Sequence, residues 1–239
     1  MIVDISKKNI KLIYTGKQKK LDLVTHNKIE SYWRSCKSHN PFLFRGKIFC
    51  IEKIKINKSI NIYLDESDYA YYLYCVNHKI NELLYYKSRF CFVAALIETK
   101  DNKYVIGKMD QRTSSPLRFQ LPGGGIEDKD IVGNEVNMIA NIQHEILEEL
   151  NINILYYINK SNQNPKYLVL GHYTMPIIFK FSVPLDSLYI RTRYDEIDNG
   201  EFSEVLFLEK KECAIDRFIQ QDIFLADYLP IVLKTDVNL

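Results

Sequence analysis

Apolar and polar positions alternate every second residue at the start of the chain. MIVDIS and NIKLIYTG read as half-buried strands, and LVTHNKIESYWRSCKSHN, entered at a Thr25 cap, reads as a helix. FLFRGKIFCIEKIKIN, SINIYLDES and YAYYLYCV then place Phe, Ile, Tyr and Val in short runs divided by the Asn57-Lys58 turn and the polar DESD. This pattern predicts a small sheet flanked by a helix. From Arg89 the rhythm changes. RFCFVAALIETKDNKYVIGKM is two apolar runs around KDNK, the pattern of a β-hairpin. The polar loop DQRTSSPLR, a short strand FQL, a glycine turn and a helix from about Asn134 to Leu150 follow. YLVLGHYTMPIIFKFSV and EFSEVLFLEKKE read as further strands. AIDRFIQQDIFLADYLPIVL reads as a C-terminal helix, with Phe218, Ile223, Phe224 and Leu225 on its buried side. No Gly/Ser linker divides the chain, so residues 1–88 are expected to form an α+β module packed on a second unit of residues 89–239.

Composition narrows the classes. A chain of 239 residues with 46% hydrophobic positions, nine glycines and seven prolines can bury a substantial core. Its 32 basic and 30 acidic residues leave a charge of +2, which disfavours general nucleic-acid binding and permits a local basic pocket. The five cysteines are scattered, without a C-x-x-C pair, and read as reduced thiols. No apolar run is long enough for a membrane span, and a soluble, cytoplasmic protein is expected. Oligomeric state is not encoded in any pattern.

The chemistry gathers in LPGGGIEDKDIVGNEVNMIANIQHEILEELNI, residues 121–152. Ile139, Ile142, Ile146 and Leu150 recur at helical spacing and leave Glu145, Glu148 and Glu149 grouped to one side. Carboxylates at i, i+3 and i+4 repel unless a cation neutralises them, and a hard divalent ion takes oxygen ligands together with substrate phosphates. An ordinary solvated acidic face has the same local pattern. Gly123, Gly124 and Gly125 add a backbone that a ligand can approach without Cβ obstruction, and Pro122 fixes the entry to the turn.

LPGGGIE followed by HEILEELNI resembles the Nudix box, G-x5-E-x7-R-E-U-x-E-E-x-G-U, over a region from Arg89 to about Asp222. The resemblance implies an α/β Nudix fold, a mixed sheet between helices. It also implies Mg²⁺ or Mn²⁺, and hydrolysis of a nucleoside diphosphate linked to another group. By position Glu148 and Glu149 would be metal ligands, Glu145 a ligand or general base, and Gly123 a ligand through its carbonyl. Three departures stand out. The segment from Glu127 to His144 is longer than the family spacing, which leaves Glu135 near but not at the place of the isolated glutamate. His144 occupies the arginine position, where imidazole would orient Glu145 with a shorter reach. Asn151 replaces the final glycine, and Asn also tolerates a left-handed cap.

Downstream, Glu201 and Glu204, with Glu196 behind them, are candidates for a further metal ligand or base, Glu204 being carried in the metal set. His172 reads as a strand-end residue. In QRTSSPLRFQ, Arg112 and Arg118 are candidates to neutralise phosphate, and Phe119 and Gln120 to face the pocket; either arginine also reads as a solubilising charge. NPFLFRGKIFCIEKIKIN and INIYLDESDYAYYLYCVN are similar to the N-terminal module of Nudix hydrolases acting on UDP-glucose and UDP-galactose. Leu43, Phe44, Gly46, Ser67, Tyr69, Tyr72 and Leu73 carry that similarity, and Asn77 is displaced by a residue. It implies a small-molecule nucleotide substrate, a UDP-sugar before ADP-ribose or a dinucleotide. A Nudix module that senses a ligand or scaffolds a partner without turnover is the alternative.

Overall fold

The computed structural model describes residues 1–78, 89–159, 163–197 and 200–238. The first strands are β1 (Ile2–Asp4) and β2 (Asn9–Gln18), followed by helix α1 (Leu23–His39). Asp22, not Thr25, caps α1, accepting the Thr25 N–H at 2.9 Å, because its carboxylate reaches the third orphan amide of the helix. β3 (Lys47–Ile56) and β4 (Ser59–Asp68) pair antiparallel, and β2 lies parallel to β4. YAYYLYCV is a helix rather than a strand: α2 (Tyr69–Asn77). Asp68 accepts the Tyr71 N–H at 2.8 Å, and Ala70, Tyr71, Tyr74 and Cys75 then fall on one helical face, so a cap and a period of 3.6 override the aromatic content.

β5 (Phe90–Glu98) and β6 (Lys103–Met109) keep the predicted turn, yet within their strands they pair only at Glu98↔Tyr104. Beyond that point the hairpin splays. β7 (Phe119–Gln120) bonds to β6, and β8 (Gly123–Gly125) bonds to β5 with Ala94 opposite Gly123. A glycine turn is thereby woven into the sheet rather than hung from it. The helix expected from Asn134 begins later. Ile131–Val132 (β9) and Glu135–Val136 (β10) form a short ribbon on β2, and α3 (Met138–Leu150) starts from Asn137, whose side chain accepts the Ala140 N–H at 3.2 Å. β11 (Tyr167–Val169), β12 (Thr174–Ser182), α4 (Ser187–Asp195) and β13 (Phe202–Glu209) follow. The C-terminal helix is two helices, α5 (Glu212–Ile219) and α6 (Leu229–Val237), joined by an irregular segment in which Phe224 is exposed.

The strands described form one mixed sheet in the order β1-β11-β12-β5-β3-β4-β2-β10-β9, with β6, β7, β8 and β13 branching from it. β5 and β12 run parallel, as do β2 and β4. Alternation along β5 divides the core. Val93, Ala95 and Ile97 pack with Ile142, Ile146 and Leu150 of α3, whereas Phe92, Ala94 and Leu96 pack with Phe218 of α5 and Leu229, Val232 and Leu233 of α6. The expected sheet between helices is present. Residues before position 78 contribute directly to it, through β1 on β11, β2 on β10 and β3 on β5. Of the stretch between Asn77 and Arg89, expected to be packed rather than a free linker, residues 79–88 lie outside the described residues. No helix among the described residues is long and apolar enough to cross a membrane.

Candidate functional site

The site begins where β8 meets α3. Gly123 has φ +140°, and a Cβ there would overlap the Val93 carbonyl and Ala94 Cα. At Gly124 a Cβ would fall on the Glu145 carboxylate. These two positions therefore have no room for a side chain: one admits the turn, the other admits Glu145. α3 presents its apolar stripe to the sheet, and this rotation aims Glu145 and Glu149 at the glycines. The helix ends at Asn151, which adopts φ 56° and ψ 37°, the left-handed cap expected of that asparagine.

Glu149 is 3% exposed. Its Oε2 accepts the Gly123 N–H at 2.7 Å, and its Oε1 has no partner. Glu148 is exposed on the neighbouring turn and lies 3.3 Å from His144 Nε2. Glu201, at the start of β13, faces the same place, tethered through its carbonyl to the Asp110 N–H at 2.8 Å. Burial, followed by Glu201 and Glu148, pushes the Glu145 carboxyl up to about 8. Burial and then Glu145 and Glu201 hold Glu149 well above the usual carboxylate range. Glu201 is raised by the protein crowded around it and by Glu148. Its side chain is still reached by water, which screens that rise.

A network that sequence reasoning missed holds the turn in place. Asn141 donates from Nδ2 to the Gly125 carbonyl and to Asp130 Oδ2, both at 2.9 Å, and Asp130 Oδ2 also accepts the Glu127 N–H at 2.9 Å. Asn141 Oδ1 is buried without a partner. The available signal was an asparagine one turn before Glu145, next to the apolar stripe of Ile142, Ile146 and Leu150.

Among the described residues no three His, Cys, Asp or Glu side chains already converge as a finished ligand set. The residues nevertheless fit a hard divalent cation. The facing groups are all oxygen donors, one buried carboxylate oxygen is orphaned, and like charges are held close enough to oppose ionisation.

The remaining sequence candidates divide. His144 stands 3.3 Å from Glu148, and Lys129 Nζ lies 3.0 Å from each imidazole nitrogen and 2.7 Å from Glu127. The contact is with Glu148, not with Glu145 as the arginine position implied. Glu204 is in an ion pair with Lys108 at 3.6 Å, Glu196 accepts from Asn151 Nδ2 at 3.0 Å, and Glu135 pairs with Lys11 at 2.6 Å; Glu201 is the downstream carboxylate next to Glu145 and Glu149. Arg118 and Gln120 line the cavity beside the glycine turn. Arg118 Nη2 donates to Gln120 Oε1 at 2.7 Å, while its buried Nε has no acceptor. Phe119, on the alternate face of β7, packs edge-on against Phe218 at 5.7 Å. Arg112 lines a second cavity and donates from Nε to Asp110 at 2.7 Å. His172 donates its backbone N–H to Asp227 at 2.8 Å.

No protein-family model matches the chain, and no curated protein matches it. Part of its path is similar to several solved structures. A Deinococcus radiodurans protein has a TM-score of 0.42 and 13% identity, over 61% of this chain and 81% of that one. A NUDIX hydrolase from Nitrosomonas europaea has a TM-score of 0.36 and 21% identity, over 62% and 87%. The NUDIX domain of Shewanella oneidensis NrtR, complexed with ADP ribose, has a TM-score of 0.40 and 11% identity, over 69% and 98%.

Proposed function

We propose that this chain is a Nudix-type enzyme that hydrolyses the pyrophosphate bond of a nucleoside diphosphate derivative with the help of Mg²⁺, or Mn²⁺ in its place. The observation that carries the reading is Glu149. It is a buried carboxylate with one orphan oxygen, pressed against Glu145 and Glu201 beside a backbone stripped of side chains. Burying such a group without a partner is costly, and folding tolerates it where a ligand supplies the missing charge. Glu145, Glu148 and Glu149, with the Gly123 carbonyl, would hold the cation. When bound it withdraws charge from the pyrophosphate oxygens and acidifies water.

The residues of the chain do the rest. Arg118 offers an unused N–H to a phosphate oxygen, with Gln120 fixing its guanidinium. Glu201 takes a proton from the attacking water and returns it to the departing phosphate. The water oxygen becomes bonded to one phosphorus, the bridging P–O bond to that phosphorus breaks, and a nucleoside monophosphate leaves. Residues 1–88 supply one wall of the site through Tyr69 and Tyr72.

Nucleotide sugars such as UDP-glucose, ADP-ribose and dinucleotides are the substrates to compare, each assayed with and without Mg²⁺ for release of a nucleoside monophosphate. Metal-dependent release from any of them is expected. Tight ligand binding with no release under any metal would instead establish the sensing or scaffolding alternative.

A further inference from the structure

Two cavities meet at Glu201. The first, about 150 Å³, runs from the glycine turn between Tyr69, Tyr72, Phe90 and Tyr228. The second, about 340 Å³, lies between residues 42–48 and the loop carrying Arg112 and Ser114. Tyr69, Met109, Ser114 and Glu201 belong to both walls, so a molecule spanning the two would run along these four residues.

The second cavity has the wrong chemistry for a sugar. Phe42 and Phe44 are 68% and 81% exposed there. Their loop is nonetheless pinned. Lys37 Nζ donates to the Pro41 and Leu43 carbonyls at 2.5 and 2.6 Å, and Asn40 takes the Phe42 N–H at 3.1 Å while reaching the Thr113 carbonyl at 3.4 Å. Two rings held in water on a fixed loop leave apolar area that a stacked partner would cover at little entropic cost. Leu43, Ile48 and Met109 extend the apolar wall. Lys47 is committed to Glu66 and Asp128, at 3.2 and 2.9 Å. Arg112 uses only Nε, and its two terminal nitrogens have no partner among the described residues. Hydroxyl recognition needs several fixed hydrogen-bonding groups, and among the described residues this wall offers Thr113, Ser114, Glu201 and the exposed Arg112 against a larger set of apolar side chains.

The first cavity is lined by flat rings. Tyr72 and Phe90 stand 5.5 Å apart, centroid to centroid, and Arg118 presents its unpaired Nε nearby.

Resting on the hydrolase reading above, we infer that the substrate is two-headed: a dinucleotide joined through a pyrophosphate or polyphosphate. One base enters the first cavity, the phosphates cross the acidic cluster within reach of Arg112 and Arg118, and the second base stacks on Phe42 and Phe44. The N-terminal loop thus selects the group on the far side of the scissile bond.

The test measures equilibrium binding of NADH, diadenosine tetraphosphate, ADP-ribose and UDP-glucose to full-length Glu148→Gln protein, and turnover of the same four by the unaltered chain with Mg²⁺. The two dinucleotides should bind more tightly than UDP-glucose. Phe42→Ala and Phe44→Ala should weaken dinucleotide binding about 5- to 100-fold, the range expected for loss of a base stack, with ADP-ribose changed less than about twofold. Phe44→Tyr should restore it. Because both rings are exposed, circular dichroism should show the fold intact in every variant. Equal weakening of all four ligands, weakening of none, or UDP-glucose binding as well as the dinucleotides overturns the proposal. Phenylalanine-dependent dinucleotide binding without metal-dependent cleavage of any compound would support the two-headed site and overturn the hydrolase reading.

Discussion

Asp236 on α6 and Glu149 on α3 are carboxylates buried to nearly the same degree, 2% and 3% exposed, on opposite faces of the sheet. Asp236 is fully provided for. Tyr104 and Tyr167 donate their hydroxyls to it at 2.6 and 2.8 Å, and Lys180 Nζ lies at 2.8 Å. Although burial alone would raise its carboxyl, those three donors hold it below the usual value. Glu149 has one amide and an orphan oxygen, and its neighbours are carboxylates. Depth of burial is therefore no guide to role. What separates a structural charge from a functional one is whether the protein itself completes the partners.

The widest separation should appear in activity. Glu149→Gln and Glu148→Gln should each lower kcat at least about a hundredfold at limiting Mg²⁺, because a neutral amide neither balances the ion nor orders its water. The metal-free Glu149→Gln protein should melt no lower than the unaltered chain, since a repelled charge has been removed. Activity within a few-fold of the original in both variants would erase the functional half of the comparison. Asp236→Ala should do the reverse. Removing Asp236 leaves the two tyrosine hydroxyls without their acceptor and Lys180 with Glu98 alone, and should cost about 3 kcal/mol in urea unfolding, with kcat of the folded fraction unchanged. Unaltered stability would show that the network around Asp236 does not hold α6 to the sheet.

Acid and base should pull the two regions in opposite directions. The Glu145 carboxyl rises from an ordinary 4.5 to about 8, so the metal-free fold binds more protons than the unfolded chain between those values. Its stability contribution is complete below about 4.5 and is lost as pH climbs toward 8, and Glu149, also raised, adds to the trend. Saturating Mg²⁺ should flatten that slope. Asp236, held below its ordinary 3.8, contributes stability above that value and loses it only as pH falls through its lowered one. Melting temperatures from about pH 2 to 9, with and without Mg²⁺, check both signs. A slope that metal leaves unchanged would detach Glu145 from the cation site.

The acidic half of this comparison was legible in the sequence, and the Asp236 half was not. Glu145, Glu148 and Glu149 share a helix and lie within a turn of each other, and three consecutive glycines carry a local meaning that needs no tertiary contact. Asp236 draws its partners from β6, β11 and β12, so a reading of local windows sees an ordinary C-terminal acid. The same limit explains the misplaced elements. YAYYLYCV has strand composition and becomes a helix because Asp68 caps it, while Glu135 leaves the helical run because β2 offers a pairing edge. The splayed hairpin also depends on chain beyond the turn, since β8 and β7 take the bonds that β5 and β6 would otherwise have given each other. Glu201 lay among the downstream candidates, but only the folded chain sets it beside Glu145 and Glu149 while Glu204 stands opposite Lys108 on β6.

The smallest expected effect concerns how Glu148 is oriented. The arginine of the family pattern would supply a fixed positive charge; here that charge is divided, with Lys129 against Glu127 and both nitrogens of His144, and His144 against Glu148. Imidazole thus stands between a cation and a carboxylate, and neither contact is deeply buried, so each is worth little alone. Lys129→Ala should lower kcat/KM about two- to fivefold, and His144→Arg should preserve or raise it, because the guanidinium carries both charge and reach. Combining them is the informative step. If Lys129 acts on Glu148 through His144, Lys129→Ala should have almost no effect in the His144→Arg background, a non-additivity that independent surface charges would not produce. Losses that simply multiply in the double variant would show that Lys129 serves Glu127 alone and that His144 orients Glu148 unaided.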